Sequence, residues 1–480
     1  MALNLFVSFL VLIEQKSMDN NIDLGSKLEW KFISKQDGYT IYQSGSHILG
    51  NFIQVYLPDV PKFNEQGQRK LITYLHGFAL CLPKFYEAHL VELAKQGYYV
   101  FFPDFQKSDY PDDLDQNTLI PSQDKPHLYF WYQMAIDTIA KSTSPNNEKL
   151  PKQIKKAQEF YRIRDTPNEP SPLKCLILAV TLIVIILTVR LIYLFSPKYS
   201  KNLVKLISTV GLSLLYSPSV WMESAINLTS DSWRKLCQDK PELNEADFDF
   251  YVFGHSLGGL LALSWSTYVT ETKFHPKQIL TADPAPSTEM GIPKIAIFIL
   301  KLFRSPFTLE PITILSTGKS LQVPVGIMHG ADDNIVKPED WIKRSLLKRK
   351  SNFDYIASLK KKIYFSFSEN QNKPALIAFH NQAVTDTTYF DDDLFKGFGG
   401  IRTEPNAYNY QYIWSGLNLV VDDMVEANDL LNQFPLTTIR VTDTLIPRLS
   451  FRTWIIFFVG IFLLSLFIWV NRGTTMIHLF

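Results

Sequence analysis

One serine in the sequence occupies a position suited to nucleophilic chemistry. In the stretch YVFGHSLGGLLALSW, residues 251–265, Ser256 lies between Gly254 and Gly258, after strand-forming residues and before helix-forming residues. A Gly-x-Ser-x-Gly spacing at such a junction predicts a tight strand-to-helix turn that lifts the serine hydroxyl above the edge of a sheet. Small residues are required there because the turn brings the strand and helix backbones too close for side chains. We therefore predict that Ser256 is a nucleophile.

A nucleophilic serine needs two partners. Its hydroxyl is a weak nucleophile until a base takes the proton, and an acid must orient that base and stabilise its charged form. His380, in LIAFHNQAV, follows the last strand-like segment and is the candidate base. Two carboxylates at the end of a strand-like segment are candidate acids, Asp332 and Asp333 in IMHGADDNIV. The residue types alone leave these two acids open.

The elements that must position these side chains alternate between strand-like and helix-like patterns. The strand-like runs are YTIYQ, NFIQVYL, LITYLHGF, YYVFFPDF, DFDFYVFGHSLGG, KQILTADPAP, VPVGIMHGADD and KKIYFSFSEN. Strands that are almost continuously apolar and are separated by helical segments predict an α/β fold, with a mainly parallel sheet covered by helices on both faces. A closing helix is predicted in YQYIWSGLNLVVDDMVEANDLL.

These motifs resemble those of the α/β-hydrolase-fold serine esterases and lipases. GHSLGG, residues 254–259, is similar to the nucleophile turn of that superfamily, and LHGF, residues 75–78, is similar to its strand-end oxyanion motif. The resemblance covers about residues 28–105 and 247–434. It implies an α/β-hydrolase fold and the hydrolysis of carboxylic esters through an acyl-enzyme, with no metal or organic cofactor.

The resemblance also implies roles for individual residues. In the superfamily, a strand-end His-Gly is followed by the acid three residues before a valine, which matches Asp333, so the implied catalytic triad is Ser256, His380 and Asp333. Asp332 stays as an alternative acid, and so does Asp283, because LTADPAPS resembles the acid-bearing loop of pancreatic-type lipases, one strand earlier. The backbone amides of Phe78 and Leu257 are implied to form the oxyanion hole, which binds the negative charge that develops on the carbonyl oxygen of the substrate.

The predicted sheet is interrupted, and this interruption divides the chain into segments. We predict an N-terminal apolar segment at 1–27, a first core part at 28–105, an insertion at 106–245, a second core part at 246–440 and a C-terminal membrane anchor at 441–480. The insertion occupies the position where the superfamily carries its lid. It contains two apolar stretches predicted to form membrane-interacting helices, residues 175–195 and 203–221.

Two apolar stretches, residues 175–195 and 453–470, are long enough to cross a bilayer as helices. A single crossing at 175–195 would separate strands of one sheet. The insertion is therefore expected to return as a hairpin through 203–221, to lie in or on the membrane surface, or to cap the site. An excess of arginine before the stretch at 453–470 favours a cytoplasmic catalytic domain.

The composition narrows the function class. Lys and Arg total 48 against 47 for Asp and Glu, so no net positive field favours binding of nucleic acid. Cys81, Cys175 and Cys237 lack metal-binding or redox spacing and argue against a disulfide framework. The apolar stretches, together with the resemblance, predict a membrane-bound esterase or lipase that acts on hydrophobic, lipid-like esters. The alternatives are an acyltransferase or thioesterase with the same triad, and a non-catalytic binding protein of the same fold.

Overall fold

The computed structural model describes most of the predicted core. The described residues are 28–47, 50–106, 108, 110, 112, 216–243, 248–290, 297–298, 301, 306–344, 350–369, 376–389, 403–434 and 439–445. Their helices and strands belong to one unit, Met1–Asp443, and Thr444–Phe480 form a separate unit. Within the described ranges, no helix is both long enough and apolar enough to cross a bilayer. The predicted segments 1–27, 175–195 and 453–470 lie outside these ranges.

One sheet contains all the named strands. In chain order they are β1 (Lys31–Gln36), β2 (Tyr39–Ser44), β3 (Ile53–Pro58), β4 (Arg69–Leu75), β5 (Tyr99–Pro103), β6 (Phe248–His255), β7 (Gln278–Ala282), β8 (Val325–Gly330), β9 (Lys361–Ser366) and β10 (Val441–Thr442). Across the sheet the order is β1-β2-β3-β5-β4-β6-β7-β8-β9-β10. All neighbours from β5 to β9 pair in parallel, and the remaining pairs, at the two sides of the sheet, are antiparallel. The predicted mainly parallel sheet is confirmed.

The described helices are α1 (Glu87–Lys95), α2 (Pro218–Asp239), α3 (Leu257–Tyr268), α4 (Pro306–Leu309), α5 (Ile314–Thr317), α6 (Pro338–Ile342) and α7 (Ser415–Val421). A π-helical turn, Asn409–Trp414, leads directly into α7. Short 3-10 turns occur at Pro83–Phe85, Thr272–Phe274, Gly318–Ser320 and Phe353–Tyr355.

Helices cover both faces of the sheet. Successive side chains of a strand point to opposite faces, so β6 contacts both layers. Tyr251 lies in the same buried cluster as Leu90 of α1 and Leu417 of α7. Phe250 points the other way, and its ring centroid lies 5.6 Å from that of Trp265 in α3. The central strand that precedes Ser256 is therefore packed between two layers of helices.

The predicted limits of the insertion need correction. α2 begins at Pro218, inside the predicted apolar helix 203–221, because the residue before a proline favours an extended backbone, and Ser217 has φ −70° and ψ 146°. Trp233 of α2 is fully buried, with its ring 4.9 Å from that of Phe248 in β6. The core therefore resumes at Pro218 and not at residue 246. The part of the apolar stretch before residue 216 lies outside the described ranges.

The chain is also tied to the core at Asp112, just inside the range predicted as insertion, 106–245. The Asp112 carboxylate accepts a hydrogen bond from His47 N–H at 2.7 Å, and its carbonyl accepts one from Gln43 Nε2 at 2.9 Å. Gln43 belongs to β2, so the contact reaches the antiparallel side of the sheet. Residues 112 and 218 thus mark the two points where the described core holds this part of the chain.

The outer strands of the sheet extend beyond the prediction. β1 was not predicted, because most of its side chains are exposed and its sequence, KFISKQ, has no apolar run. β10 lies inside the segment predicted as a membrane anchor, 441–480, and Val441 and Thr442 pair with Ser366 and Phe365 of β9. The core therefore continues to Thr442, two residues past the predicted boundary.

The predicted closing helix is shorter than expected. α7 ends at Val421, and Asp423 has a left-handed φ of 58°. The Asp423 carboxylate ties this turn to the sheet, because it accepts hydrogen bonds from Tyr251 Oη at 2.8 Å and from Lys70 Nζ at 3.1 Å. These polar contacts with β6 and β4 stop the helix before the apolar residues that follow.

Candidate active site

Ser256 lies at the turn between β6 and α3, at the carboxyl edge of the sheet. Its φ of 53° and ψ of −114° fall outside the regions that residues with a side chain ordinarily adopt. Two backbone hydrogen bonds hold this strained turn: Ser256 N–H donates to Ala282 O at 2.9 Å, and Gly258 N–H donates to His76 O at 3.0 Å. The turn is therefore fixed to the ends of both strands that flank β6.

The glycines around Ser256 allow the close approach that the sequence predicts. A Cβ at Gly254 would lie 2.2 Å from Gly258 O, and a Cβ at Gly258 would lie 2.3 Å from Leu75 O. Both of these neighbours are backbone atoms, which cannot move aside as the end of a flexible side chain can. Strand and helix can meet at this distance only because no side chain is present at either position.

His380 contacts the serine hydroxyl, although 124 positions separate the two residues. Its Nε2 lies 2.6 Å from Ser256 Oγ, and its Nδ1 lies 2.7 Å from Asp333 Oδ2. Because an ionised carboxylate only accepts hydrogen bonds, the proton of the neutral ring is on Nδ1, and Nε2 accepts from the hydroxyl. The structure thus joins the predicted serine and base to one of the three candidate acids.

Asp333 is held in place independently of His380. It lies just after β8, and its Oδ1 accepts hydrogen bonds from the backbone N–H groups of Ile335 at 2.8 Å and Val336 at 3.0 Å. Its other oxygen, Oδ2, is left for His380. A carboxylate fixed by two amides cannot rotate away, so it determines the orientation of the imidazole.

Burial and the charged neighbours act in opposite directions on the pKa values of this pair. Burial would raise the pKa of Asp333, but the charge and hydrogen bond of His380, with help from His329 and the Ile335 amide, lower it. Burial would lower the pKa of His380, but the charge and hydrogen bond of Asp333, with a further contribution from Asp283, raise it above its ordinary value. The site therefore favours an ionised acid beside a base that readily takes a proton.

The other two candidate acids have different hydrogen-bond partners. Asp283, at the end of β7, accepts hydrogen bonds from Gly330 N–H at 2.7 Å and from Gln382 Nε2 at 3.1 Å. Burial raises the pKa of Asp283, and the charge of Asp333 adds to this rise, whereas the hydrogen bond and charge of His329 oppose it. Asp332 Oδ2 accepts a hydrogen bond from Ser368 Oγ at 2.6 Å.

The two amides predicted to form an oxyanion hole lie in turns at the same sheet edge. Leu257 is the first residue of α3. Phe78 follows β4 in a turn in which Leu80 N–H donates to Gly77 O at 3.0 Å and Ala79 has a left-handed φ of 63°. These are the features of a type II turn with Phe78 at its second position. In the part of the chain that the structure describes, neither N–H has a protein acceptor.

A buried polar group behind the oxyanion loop was missed in the sequence. Asp104, just after β5, lies 2.7 Å from His47 Nδ1 and accepts hydrogen bonds from Ser108 Oγ at 2.7 Å and Gln106 N–H at 2.9 Å. Gln106 Oε1 in turn accepts from Ala79 N–H at 2.7 Å. The available signal was position, because Asp104 follows a parallel strand at the same edge as Ser256.

Two buried clusters contain residue types that bind metals. Ligand atoms lie within 4.8 Å of one another in the set Asp283, His329 and Asp333, and in the set His76, Cys81 and Asp104. A metal binds the thiolate form of cysteine. Burial, with the charge of Asp104, raises the pKa of the Cys81 thiol well above its ordinary value, so the protonated thiol is favoured there. In the first set, both carboxylates already accept hydrogen bonds.

Comparison with known proteins adds a distant resemblance to solved structures. No family model and no curated protein matches the sequence. An esterase from Pyrococcus furiosus is 12% identical over 73% of this chain and 86% of its own, with a TM-score of 0.30. Acetyl xylan esterase 1 from Thermoanaerobacterium sp. is 13% identical over 76% of this chain and 86% of its own, with a TM-score of 0.34. An acylaminoacyl peptidase from Pyrococcus horikoshii is 10% identical over 73% of this chain and 39% of its own, with a TM-score of 0.31.

Similarity at this level carries no argument about activity, and the class of fold follows from the chain itself. The parallel strands are ordered β5-β4-β6-β7-β8-β9, and the strained serine turn follows the central strand β6. Helices cover both faces of the sheet. These features define an α/β-hydrolase-like fold.

Proposed function

We propose that this protein is a serine hydrolase that cleaves carboxylic esters through an acyl-enzyme intermediate. The observation that supports this most strongly is the hydrogen-bonded chain from Ser256 through His380 to Asp333 at the carboxyl edge of the sheet. The strained backbone of Ser256 supports the same conclusion, because such conformations cluster at functional sites, where the surrounding structure maintains them.

In the first half of the proposed reaction, the enzyme is acylated. Ser256 Oγ attacks the carbonyl carbon of the ester while His380 Nε2 takes the hydroxyl proton. The electron pair of the C=O bond moves to the oxygen, and the N–H groups of Phe78 and Leu257 donate hydrogen bonds to the resulting oxyanion. The bond to the alcohol oxygen then breaks, and His380 gives its proton to that oxygen. The acyl group remains on Ser256.

In the second half, water replaces the alcohol. His380 takes a proton from water as the water oxygen attacks the acyl carbon, and the same proton returns to Ser256 Oγ when the acid is released. Asp333 stays ionised throughout and stabilises the imidazolium that forms in both halves. Its lowered pKa, caused by the charge and hydrogen bond of His380 with help from His329 and the Ile335 amide, suits this role.

Activity-based labelling tests the proposal directly. A fluorophosphonate probe should attach to the full-length protein at Ser256, as shown by mass spectrometry of the labelled peptide, and Ser256→Ala should remove both the label and esterase activity. Ser264→Ala is the matched control, because Ser264 is a buried serine in α3 whose Oγ lies 2.8 Å from Thr317 Oγ1. Failure of the probe to label Ser256 would refute the proposal in favour of a non-catalytic binding protein.

For the substrate, we favour a hydrophobic, lipid-like ester delivered at a membrane. The apolar stretches 175–195 and 453–470 support this, the first because it falls in the part of the chain where related folds carry a lid. The same stretches support membrane association, and the excess of arginine before the stretch 453–470 favours a catalytic unit on the cytoplasmic side. Measuring kcat/KM over p-nitrophenyl esters from acetate to palmitate tests the substrate class, and a maximum at acetate would contradict it.

Two further measurements address location and acceptor. Flotation of the full-length protein with liposomes, followed by carbonate extraction, tests membrane association, and protease protection in sealed vesicles tests the side. Product analysis with water alone and with added alcohol or thiol distinguishes hydrolysis from acyl transfer. Free acid as the main product under both conditions is expected for a hydrolase.

A further inference from the structure

A continuous chain of hydrogen bonds passes beneath the candidate nucleophile. Gly77 N–H donates to Tyr86 Oη at 2.9 Å, Tyr86 Oη lies 2.8 Å from His255 Nδ1, and His255 Nε2 lies 2.9 Å from the main-chain carbonyl of His380. Tyr86 and His255 are both fully buried. The chain therefore begins at the residue before Phe78 and ends on the backbone of the base.

The direction of every proton in this chain is determined by its two ends. Gly77 N–H can only donate and the His380 carbonyl can only accept. His255 Nε2 must carry a hydrogen, because it can only donate to the His380 carbonyl. Nδ1 of the neutral ring is then unprotonated and accepts from Tyr86 Oη, which itself accepts from Gly77 N–H. One neutral tautomer satisfies all the bonds, and the chain has a single direction from the oxyanion loop to the base.

The ring of His255 also limits how far the oxyanion loop can move. A Cβ at Gly77 would lie 2.9 Å from His255 Nδ1 and 3.2 Å from Cε1, so the ring packs directly against the glycine. The Tyr86 ring is held in turn by Tyr74 and Phe102, with centroid distances of 5.4 and 5.8 Å. Neither Tyr86 nor His255, which both contact the oxyanion loop at Gly77, can shift without disturbing the aromatic core.

We propose that Tyr86 and His255 are positioning residues that fix the distance between the Phe78 amide and the His380 imidazole across Ser256. This inference rests on the proposed function. The oxyanion donor and the base are carried by different loops, 77–80 and 377–385, and both must meet one substrate carbonyl. His255, whose next residue is Ser256, links the two loops through the nucleophile turn itself.

The first test removes one hydroxyl. Tyr86→Phe should lower kcat by roughly 10- to 100-fold with KM changed less than about threefold, because small displacements of reacting groups affect the transition state more than ground-state binding. Affinity for a trifluoromethyl ketone, which forms an oxyanion on the serine, should fall by the same factor as kcat/KM. The matched control is Tyr74→Phe, because the Tyr74 hydroxyl is equally buried and lies 3.1 Å from His89 Nδ1, outside this chain. Tyr74→Phe should leave kcat within about threefold of the parent.

The second test asks whether the chain acts as a unit. His255→Leu removes both of its bonds, whereas His255→Gln retains an amide that can donate to the His380 carbonyl, so kcat should be higher for Gln than for Leu. The double variant Tyr86→Phe/His255→Leu should lose no more kcat than His255→Leu alone, because the effects of groups that act together are not additive. Multiplicative losses, or Tyr86→Phe with unchanged kcat and ketone affinity, would overturn the inference.

These outcomes are separable from failure of the proposed function. If Ser256 in the parent protein is labelled and active, an unaffected Tyr86→Phe variant refutes only the positioning role. If the parent is neither labelled nor active, the proposed function itself fails. Circular dichroism and urea unfolding of each variant identify one that does not fold, and the milder His255→Gln variant then decides the question.

Discussion

The carboxylates of Asp283 and Asp333 lie at the ends of neighbouring strands and share one histidine between them. His329 Nδ1 is 3.0 Å from Asp283 Oδ1 and 3.7 Å from Asp333 Oδ2. Asp333 alone is placed with an oxygen 2.7 Å from the base, His380. Two acids within one buried group therefore have different hydrogen-bond partners, and the different roles proposed for them can be measured.

Replacing each acid of the 332–333 pair should have very different effects. Asp333→Asn should lower kcat by roughly 10³- to 10⁴-fold, because the amide no longer stabilises the protonated base and favours the wrong tautomer of His380. Asp332→Asn is the matched control. Its kcat should stay within about threefold of the parent, since Asp332 accepts a hydrogen bond from Ser368 and not from His380. Hydrolysis of p-nitrophenyl butyrate measures both. Equal losses in the two variants would contradict the assignment of Asp333.

The pH dependence of kcat/KM should reflect the raised pKa of His380. The base acts in its neutral form, so activity is lost as pH falls through this pKa, and the midpoint of the acidic limb should lie above the ordinary value of 6.5. Asp283 contributes to the rise through its charge. Asp283→Asn should therefore move the midpoint to lower pH, while Asp332→Asn leaves it in place. A midpoint unaffected by Asp283→Asn would mean that this carboxyl carries no charge there.

The oxyanion role of the Phe78 amide can be tested without disturbing its turn. Proline is favoured at the second position of a type II turn and lacks the N–H group, so Phe78→Pro removes the donor while retaining the backbone shape. We expect kcat to fall by about 10²- to 10³-fold. Phe78→Ala keeps the amide and removes only a side chain that is 41% exposed, so kcat should change by less than about fivefold. Similar losses in the two variants would show that the side chain matters and not the amide.

The close contact of strand and helix at Gly258 predicts that a side chain at this position lowers the free energy of unfolding. Gly258→Ala places a methyl group against two backbone carbonyls, Leu75 O and His76 O, and overpacking of this kind should lower the free energy of unfolding by at least about 2 kcal/mol. Gly416→Ala, in α7, is the control. Its new methyl group meets the flexible end of the Met328 side chain at 3.0 Å, and alanine favours a helix. The free energy of unfolding should therefore change by less than about 1 kcal/mol. Urea unfolding monitored by tryptophan fluorescence measures both, and equal destabilisation would contradict the packing argument.

The sequence was most informative where one short stretch determines both conformation and chemistry. GHSLGG contains the candidate nucleophile, Ser256, and the glycines that its turn requires, so this turn could be located without the structure. His380 and Asp333 were accessible because each follows a strand-like run, and parallel strands end at the same edge. The choice among the three acids came from the resemblance, since the residue types alone did not separate them.

Other features depend on contacts that no local pattern records. The bond between Tyr86 and His255 joins residues 169 positions apart, and nothing near either residue indicates the other. β1 is exposed and polar, so it lacked the apolar signal of a strand. α2 was not predicted, because the apolar stretch 203–221 runs across Pro218, the residue at which the helix begins.

The anchoring of the chain at Asp112 and Pro218 has a consequence for how this architecture can diversify. Both ends of the intervening stretch are held by the core, so its length and composition can change without altering the register of any strand. In general, lengthening a flexible loop between fixed ends costs little free energy, about 0.6 kcal/mol for each doubling of its length. Sequence changes between Asp112 and Pro218 are therefore compatible with an unchanged arrangement of Ser256, His380 and Asp333.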